Sequence, residues 1–269
     1  MGLGVPRPPL SLIGDPSAPR LVFSESGADQ TERFARWAGP RLDALASAEL
    51  SGYILKSKSP SCGIARVPVS GDDGVVRRSG VGLFARALLE RFPNLPVVEE
   101  ADLQDAAMRD GFIERVFCYH RWLAMIGGGF SAAHLVAFHA SHKLVLMAHS
   151  PARLTELGRL VANTRALPPA ALRERYAAAF MRALGMRATR AKHANVLHHT
   201  LGYFKRHLDA RDKAEIVALI DDYRLGRAPL VAPLALLRRH AAYHAIAYLA
   251  AQVYLHPHPK EAILLERAR

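Results

Sequence analysis

Cysteine is scarce in this chain of 269 residues, which contains only Cys62 and Cys118. Two cysteines do not build a disulfide framework, so the sequence excludes the class of small disulfide-rich secreted domains and favours a reducing compartment. Long hydrophobic runs are also lacking, because no uninterrupted apolar stretch reaches the roughly 18 residues of a membrane-spanning helix. We therefore expect a cytoplasmic protein without a membrane partner.

Acidic residues are scarce in the second part of the chain. Residues 1–120 contain 14 basic and 15 acidic residues, whereas residues 121–269 contain 22 basic and 9 acidic residues, a net charge of +13. All histidines except His120 follow residue 120 as well. A neutral part joined to a strongly basic part suggests that the basic part binds a polyanion. The alternative is a solvated basic surface with no partner.

The first part has the pattern of an α/β fold, in which short apolar runs alternate with amphipathic helices. The predicted elements are helices at 28–49 (interrupted at Gly39-Pro40), 82–89 and 102–123, strands at 52–57 and 93–98, and a loop or hairpin at 70–80. A glycine-rich connector at 126–129 is the expected boundary between the two parts.

The second part is predicted to be almost entirely helical, with proline and glycine between its segments. The predicted helices are 130–148, 151–163, 168–184, 190–207, 210–225 and 229–253. Asp209 is the expected N-cap of the helix that begins near residue 210. The fold class predicted for the whole chain is therefore α/β followed by all-α.

One short motif in the first part carries residues suited to chemistry. Ser59-Pro60-Ser61-Cys62-Gly63 directly follows a predicted strand, and α/β sheets bind ligands at the carboxyl ends of their strands. A cysteine after a rigid X-Pro turn presents its sulfur to a metal or a substrate, and the flanking serines can donate or relay protons. From spacing alone, the favoured alternative for Cys62 is a structural thiol in a turn.

Several longer phrases occur in order along the chain. They are GLGVPRPP (2–9), GYILKSKSPSCG (52–63), GVGLFA (80–85), FPNLPVVEE (92–100) and RDGFIERVF (109–117) in the first part, and NVLHHTLGYFK (195–205) and YLAAQVYLHPHP (248–259) in the second. The first set resembles the TudS thiouracil desulfidase family, and residues 134–265 resemble the YbgA-like domain. The fusion of the two is similar to the tRNA 4-thiouridine desulfidases of the RudS type.

This resemblance implies an incomplete Rossmann-like parallel sheet in a desulfidase domain over residues 1–125, which lacks its N-terminal segment. An all-α basic domain over residues 130–269 is expected to bind tRNA. The resemblance also implies a 4Fe–4S cluster held by three cysteines, whose open iron takes sulfur from a thiolated uracil. Water then supplies the oxygen of the new carbonyl without net redox change.

Individual residues match the family's site motif. Cys62 matches the third cluster ligand, and Ser59 or Ser61 matches the serine that assists proton transfer, with Ser59 preferred. The first two cysteine ligands of the family, and the glutamate of its Cys-Pro-Glu motif, lie upstream of the point where this chain begins. Cys118 is expected to be a buried helix thiol rather than a ligand.

Two hypotheses account for this incomplete site. In the first, Met1 is an internal methionine and the true start lies further upstream. In the second, the protein is truncated and non-catalytic, and the loss of the first strand exposes core surface.

The predicted helix 190–207 carries a polar face suited to nucleic acid. Lysine, arginine, histidine and asparagine side chains contact phosphates and base edges, and an accessible tyrosine stacks on an unpaired base. The candidate RNA-binding residues are Lys192, Asn195, His198, His199, Tyr203, Lys205 and Arg206. A core position is the alternative for Tyr203. The histidines lack HExxH or Cys–His spacing, so surface or hydrogen-bonded core histidines are favoured over a metal site.

The expected function is removal of sulfur from 4-thiouridine in tRNA, with the helical domain binding the tRNA. We expect catalysis from the full-length protein rather than from this chain as given. The alternative is an RNA-binding or interaction protein with a vestigial desulfidase half. In a third interpretation a free thiouracil-type base is the substrate and the helical domain serves oligomerisation; the sequence leaves the oligomeric state open.

Overall fold

A computed structural model of the protein describes residues 8–267, with side chains up to residue 265. Residues 2–7 of the phrase at 2–9 lie outside the described residues, as does Met1, on which the hypothesis of an internal methionine depends.

The chain forms two compact units, Met1–Phe112 and Ile113–Arg269. The division falls inside the helix Ala106–Gly127, upstream of the connector at 126–129. Each unit has its own hydrophobic core.

The first unit combines short strands with amphipathic helices. The strands are β1 (Leu10–Ile13), β2 (Arg20–Phe23), β3 (Tyr53–Leu55), β4 (Val67–Ser70), β5 (Val76–Gly80) and β6 (Val97–Glu99), and the helices are α1 (Thr31–Ala46), α2 (Leu83–Arg91) and the start of α3 (Ala106–Gly127). A 3-10 turn at Asp102–Gln104 precedes α3.

These strands form two sheets. The larger sheet has the order β2-β1-β4-β5, in which β1 and β4 are parallel while β1–β2 and β4–β5 are antiparallel. Strands β3 and β6 pair separately and in parallel. The larger sheet is mixed because a short turn joins β4 to β5, and such a turn joins only antiparallel strands. Gly74 allows this turn through its φ of 75°. The predicted α/β class is confirmed, with parallel pairing in both sheets.

Helix α1 packs one apolar face on the first core. Phe34, Ala38 and Leu42 follow the i, i+4, i+8 spacing of a helix face and are all buried. Pro40 lies on the exposed side of α1, and the helix continues through it. The interruption predicted at Gly39-Pro40 is therefore wrong.

The second unit is helical throughout its described residues. After α3 its helices are α4 (Ala132–Ser141), α5 (Lys143–His149), α6 (Pro151–Ala162), α7 (Pro169–Leu184), α8 (Arg190–Leu201), α9 (Ala210–Arg224), α10 (Val231–Tyr243), α11 (Ala247–Ala250) and α12 (Pro259–Arg267). Stacked and edge-on aromatic rings fill its core, with Trp122 against Tyr176 at 5.5 Å and Phe138 against Phe180 at 5.2 Å. None of the helices in the described part of the chain has the length and hydropathy needed to cross a bilayer.

Side-chain caps start several of these helices. The Ser131, Ser150 and Thr189 hydroxyls and the Asp209 carboxylate each accept the backbone N–H three residues later, at 2.8 to 3.3 Å. These bonds satisfy amides that have no partner inside the helix. The predicted N-cap at Asp209 is confirmed.

Three predicted helices are shorter than expected. The segment 130–148 divides at His142, and 190–207 ends as an α-helix at Leu201, followed by a 3-10 turn at Gly202–Phe204. The segment 229–253 ends at Tyr243, where Ala245 adopts a φ of 51° and the N–H of Ile246 bonds the carbonyl of Ala241. This pattern is a Schellman termination, which closes the helix.

Candidate active site and nucleic-acid surface

The Ser59–Gly63 motif lies at the carboxyl end of β3. The parallel partner β6 ends at the same edge, with Tyr53 opposite Val97 and Leu55 opposite Glu99. Ligands of α/β sheets bind at this edge, because loops from neighbouring parallel strands converge there. The predicted position of the motif after a strand is correct.

The Ser59 hydroxyl organises the loop. Its Oγ accepts the backbone N–H groups of Ser61 and Cys62, both at 3.3 Å, and lies 3.1 Å from the Ser61 Oγ. Ser61 is buried, whereas Ser59 and Cys62 are half-buried. Since Ser59 Oγ already accepts two N–H groups, its own proton is the one it can donate. The two hydroxyls therefore share a hydrogen bond in the residues that precede Cys62.

Helix α2 begins directly against this loop. The amides of Phe84 and Ala85 donate to the Ser61 carbonyl at 2.8 and 3.2 Å, and the amide of Leu83 donates to the Pro60 carbonyl at 3.2 Å. A Cβ on Gly82 would lie 2.6 Å from the Cys62 nitrogen. No real Cβ tolerates such a distance, so glycine at this position is what allows the helix to approach the loop.

Two glutamates of the adjoining strand end also contact this loop. The buried Glu99 accepts the N–H of Ile64 at 2.7 Å through Oε1, while Glu100 accepts the N–H of Ser57 at 2.6 Å and its hydroxyl at 3.0 Å. These bonds to Ser57 lower the pKa of Glu100. Neither glutamate was among the predicted site residues, although two acidic residues directly after an apolar strand are a visible signal.

Cys62 lies near an aromatic side chain as well. Burial, and then the nearby Cys62 sulfur, raise the pKa of Tyr53, whose ring lies 6.2 Å from that of Phe84. Cys118 is fully buried in α3, where burial raises its thiol pKa. It is the buried helix thiol that the sequence predicts.

The described residues do not fit a 4Fe–4S cluster. Such a cluster with one open iron needs three thiolates, and Cys62 supplies one. Within the described ranges, no group of three or more His, Cys, Asp or Glu side chains is placed to hold a metal ion.

The candidate RNA-binding residues lie on α8 and the turn after it. Asn195, His198, His199, Tyr203, Lys205 and Arg206 are exposed. Because the α-helix ends at Leu201, Arg206 does not continue the helical face of Lys192 and His199. Tyr203 is 38% exposed, so it is not in the core.

The Lys192 side chain forms hydrogen bonds within the protein. Its Nζ donates to the carbonyls of His149 and Arg187 at 2.7 and 2.8 Å. The ammonium therefore ties the start of α8 to the end of α5, with one N–H left for another partner.

The predicted hydrogen-bonded core histidines are found in α4, in α5 and at the cap between them. His139 Nδ1 lies 3.1 Å from the Tyr176 hydroxyl, His142 Nδ1 donates to the Phe138 carbonyl at 2.7 Å, and His149 Nε2 lies 2.7 Å from a Glu114 oxygen. Burial lowers the pKa of both His139 and His142 to about 4, so these two rings are neutral at pH 7.

Comparison with known proteins places the chain in a family. The protein named "Uncharacterized protein YbgA" of Escherichia coli (strain K12) is 32% identical over 152 residues, which are 90% of that protein and 56% of this chain. The chain belongs to the YbgA family. The family model described as "Protein of unknown function (DUF1722)" matches residues 143–259, so we call the unit Ile113–Arg269 the YbgA domain.

A different family precedes the YbgA domain. The 2-thiouracil desulfurase family model matches residues 1–100, which include the serine–cysteine loop and both glutamates, so we call the unit Met1–Phe112 the desulfurase domain. The predicted fusion of a desulfidase-like domain with a YbgA-like domain is confirmed, and the match supports sulfur removal as the class of function. No solved structure matches the chain.

Proposed function

We propose that the protein removes sulfur from 4-thiouridine in tRNA, in the cytoplasm, and that the YbgA domain binds the RNA. One observation carries the proposal: a desulfurase-family domain with its serine–cysteine loop at a sheet edge is joined to a unit with 23 basic and 10 acidic residues. The match of residues 1–100 to the desulfurase family supports sulfur chemistry on a uracil ring. The net charge of +13 in the second half supports a polyanionic carrier of that ring.

The reaction replaces the carbon–sulfur double bond of the thiolated ring by a carbon–oxygen double bond. Water supplies the oxygen, the sulfur leaves as hydrogen sulfide, and no electrons are gained or lost. In this reaction Ser59 donates its hydroxyl proton toward the departing sulfur and regains a proton from the attacking water, and its neighbour Ser61 is the second member of the relay. The 3.1 Å separation of their hydroxyl oxygens supports this role.

The 4Fe–4S cluster implied by the family resemblance would use Cys62 as one ligand. Because the described residues supply no second thiol at that loop, the roles assigned to this chain are proton transfer at Ser59 and binding of the RNA.

RNA binding is assigned to the exposed polar groups on α8 and the following turn. Lys205 and Arg206 supply charge for phosphates, and Asn195 and His198 supply hydrogen bonds to base edges or sugars. The same region contains Tyr203, whose partly exposed ring offers a stacking surface.

The test is an anaerobic assay of the full-length protein, as its own cells produce it, on tRNA that carries 4-thiouridine. The 4-thiouridine lost, the uridine formed and the sulfide released are measured in water labelled with oxygen-18. We expect equal amounts of all three changes, with the label in the new uridine. Ser59→Ala is the test variant, and Ser47→Ala, an exposed serine after α1, is its matched control.

Two outcomes of this assay would favour a free base as the substrate or an RNA-binding protein without catalysis. Sulfur release from free 4-thiouracil but not from tRNA would overturn the RNA substrate. Salt-dependent tRNA binding without any sulfur release would overturn the catalytic half of the proposal and leave an RNA-binding protein.

A further inference from the structure

The YbgA domain contains a cavity of about 680 Å³, a volume typical of small-molecule sites. Its walls come from α4, α5, α6 and α8, with Tyr203 added from the turn after α8 and Tyr248 from α11. Valine, leucine, methionine and alanine side chains form its apolar surface. Among the described residues that line it, none is acidic.

One wall of the cavity is aromatic. The rings of Tyr203 and Tyr248 stack with their centroids 4.8 Å apart and their planes 16° from parallel, and His199 meets Tyr203 edge-on at 5.6 Å. Burial, and a hydrogen bond with Tyr203, raise the pKa of Tyr248, so its hydroxyl stays protonated at physiological pH. A preformed flat pair of this kind suits a planar ring.

A neutral histidine from α4 also lines the cavity. His139 is tied through Nδ1 to the Tyr176 hydroxyl, and its Nε2 lies 3.9 Å from the position that a Cβ would occupy on Gly158. Because the ring is uncharged at pH 7, Nε2 offers one directed hydrogen bond rather than a charge. Such a group suits the edge of an uncharged heterocycle.

A single cation completes the lining. Lys143 at the start of α5 is exposed and borders the cavity, where it provides a point charge for an anionic group. A small inorganic anion would leave the aromatic and aliphatic walls uncovered. A hydrocarbon chain would leave Lys143 and the Nε2 atom of His139 without a polar partner in the cavity.

We propose that this cavity binds an unpaired nucleotide, with its base against the Tyr203–Tyr248 pair and its phosphate at Lys143. The assignment rests on the proposed function for the source of the nucleotide, since an RNA held by the YbgA domain offers unpaired bases. A free mononucleotide presents the same chemistry. The cavity therefore adds a base-binding pocket to the charged surface that contacts phosphates.

The test uses the full chain and two fluorescent probes, 2-aminopurine riboside 5′-monophosphate and a single-stranded RNA with one unpaired 2-aminopurine. Stacking on a tyrosine lowers the fluorescence of both probes. Gly158→Leu fills the cavity, and Gly158→Ala is its matched control because a Cβ there meets nothing closer than 3.9 Å and alanine suits a helix interior. Tyr203→Ala removes the ring, and Tyr203→Phe keeps it.

We expect the wild type, Gly158→Ala and Tyr203→Phe to bind the probes with similar affinity. Gly158→Leu and Tyr203→Ala are expected to bind at least about tenfold more weakly, as loss of one stacking contact predicts. If the wild type quenches neither probe, or if Gly158→Leu binds as the wild type does, the assignment is wrong.

The two probes also separate this inference from the proposed function. Binding of the mononucleotide without any binding of RNA would support the cavity assignment and overturn RNA binding by the YbgA domain. Binding of tRNA at equal strength by the wild type and Gly158→Leu, with no quenching, would support the proposed function and overturn the cavity assignment.

Discussion

The Nε2 atom of His149 lies 2.7 Å from Oε2 of Glu114, and the two side chains are 3% and 21% exposed. Nδ1 of the same ring faces the Met186 carbonyl, so both ring nitrogens meet acceptors. Burial opposes the charge on His149, but the Glu114 charge and these hydrogen bonds outweigh it and raise the pKa of His149. Burial likewise opposes the charge on Glu114, yet His149 outweighs it and lowers the pKa of that carboxyl.

This pair predicts a specific pH dependence of stability. The contribution of His149 is fully present below its unfolded pKa and is lost as pH rises through its raised folded pKa, while that of Glu114 is lost as pH falls through its lowered folded pKa. We expect Glu114→Gln to lower the free energy of unfolding by about 1–3 kcal/mol between about pH 5 and 6.5. The difference from wild type shrinks at higher pH, and denaturant unfolding of the full chain over a pH series measures it.

Glu156→Gln is the matched control for this variant. Glu156 pairs with Arg153 at 2.6 Å, but both side chains are more than 40% exposed, so its loss costs less than about 1 kcal/mol. A difference between Glu114→Gln and wild type that stays constant across the pH series would show that the buried pair carries no charge.

Gly82→Ala is expected to destabilise the desulfurase domain. The new Cβ would lie within 2.6 Å of the Ser61 carbonyl carbon and the Cys62 nitrogen, so the loop or α2 must move, at a cost of about 1–3 kcal/mol. Gly111→Ala is the control, because a Cβ there meets nothing within 4 Å and the residue lies inside α3. Thermal unfolding compares the two variants, and an equal midpoint in both would contradict the close approach of α2 to the loop.

Lys205→Gln and Arg206→Gln are expected to weaken tRNA binding through lost phosphate contacts. Each substitution reduces the slope of log affinity against log salt by about one unit, with little dependence on RNA sequence. Fluorescence anisotropy of labelled tRNA at several salt concentrations gives the slopes. Arg20→Gln, at an exposed arginine of the desulfurase domain paired with Asp29, serves as the control. The surface assignment fails if all three variants share the wild-type slope.

Ser59→Ala is expected to slow sulfur release from thiolated tRNA by about 100- to 10,000-fold, the usual contribution of a general acid–base group. Binding of tRNA should persist, because Ser59 is not among the residues to which RNA binding is assigned. Rates under single-turnover conditions separate the chemical step from binding. A rate for Ser59→Ala equal to that of Ser47→Ala would remove Ser59 from the proton relay.

Local signals predicted much of the architecture. The strand before Ser59, the cap at Asp209 and the helical second unit follow from hydrophobic periodicity and capping residues, which act over a few neighbours. Strands β1 and β2 escaped prediction because long-range pairings hold them, which join residue 10 to residue 23 and residue 12 to residue 69.

In the candidate sites too, features formed by neighbouring residues were predictable, and contacts between distant residues were not. The Ser59–Cys62 turn is recognisable from its own residues, but the contact between Glu99 and the Ile64 amide joins residues 35 positions apart. The helix 190–207 was predicted too long because polar and apolar periodicity continues past Gly202, where the chain tightens into a 3-10 turn. The stacking of Tyr203 on Tyr248 likewise depends on how α11 packs against that turn.

The amides of Leu83, Phe84 and Ala85 take their acceptors from Pro60 and Ser61 rather than from solvent. The Ser59–Gly63 loop and the first turn of α2 are therefore joined by three hydrogen bonds. A movement of the loop backbone at Pro60 and Ser61 away from α2 would break them. Hydrogen–deuterium exchange of these three amides should therefore slow when a molecule binds at the loop, and quicken when the loop moves away from α2.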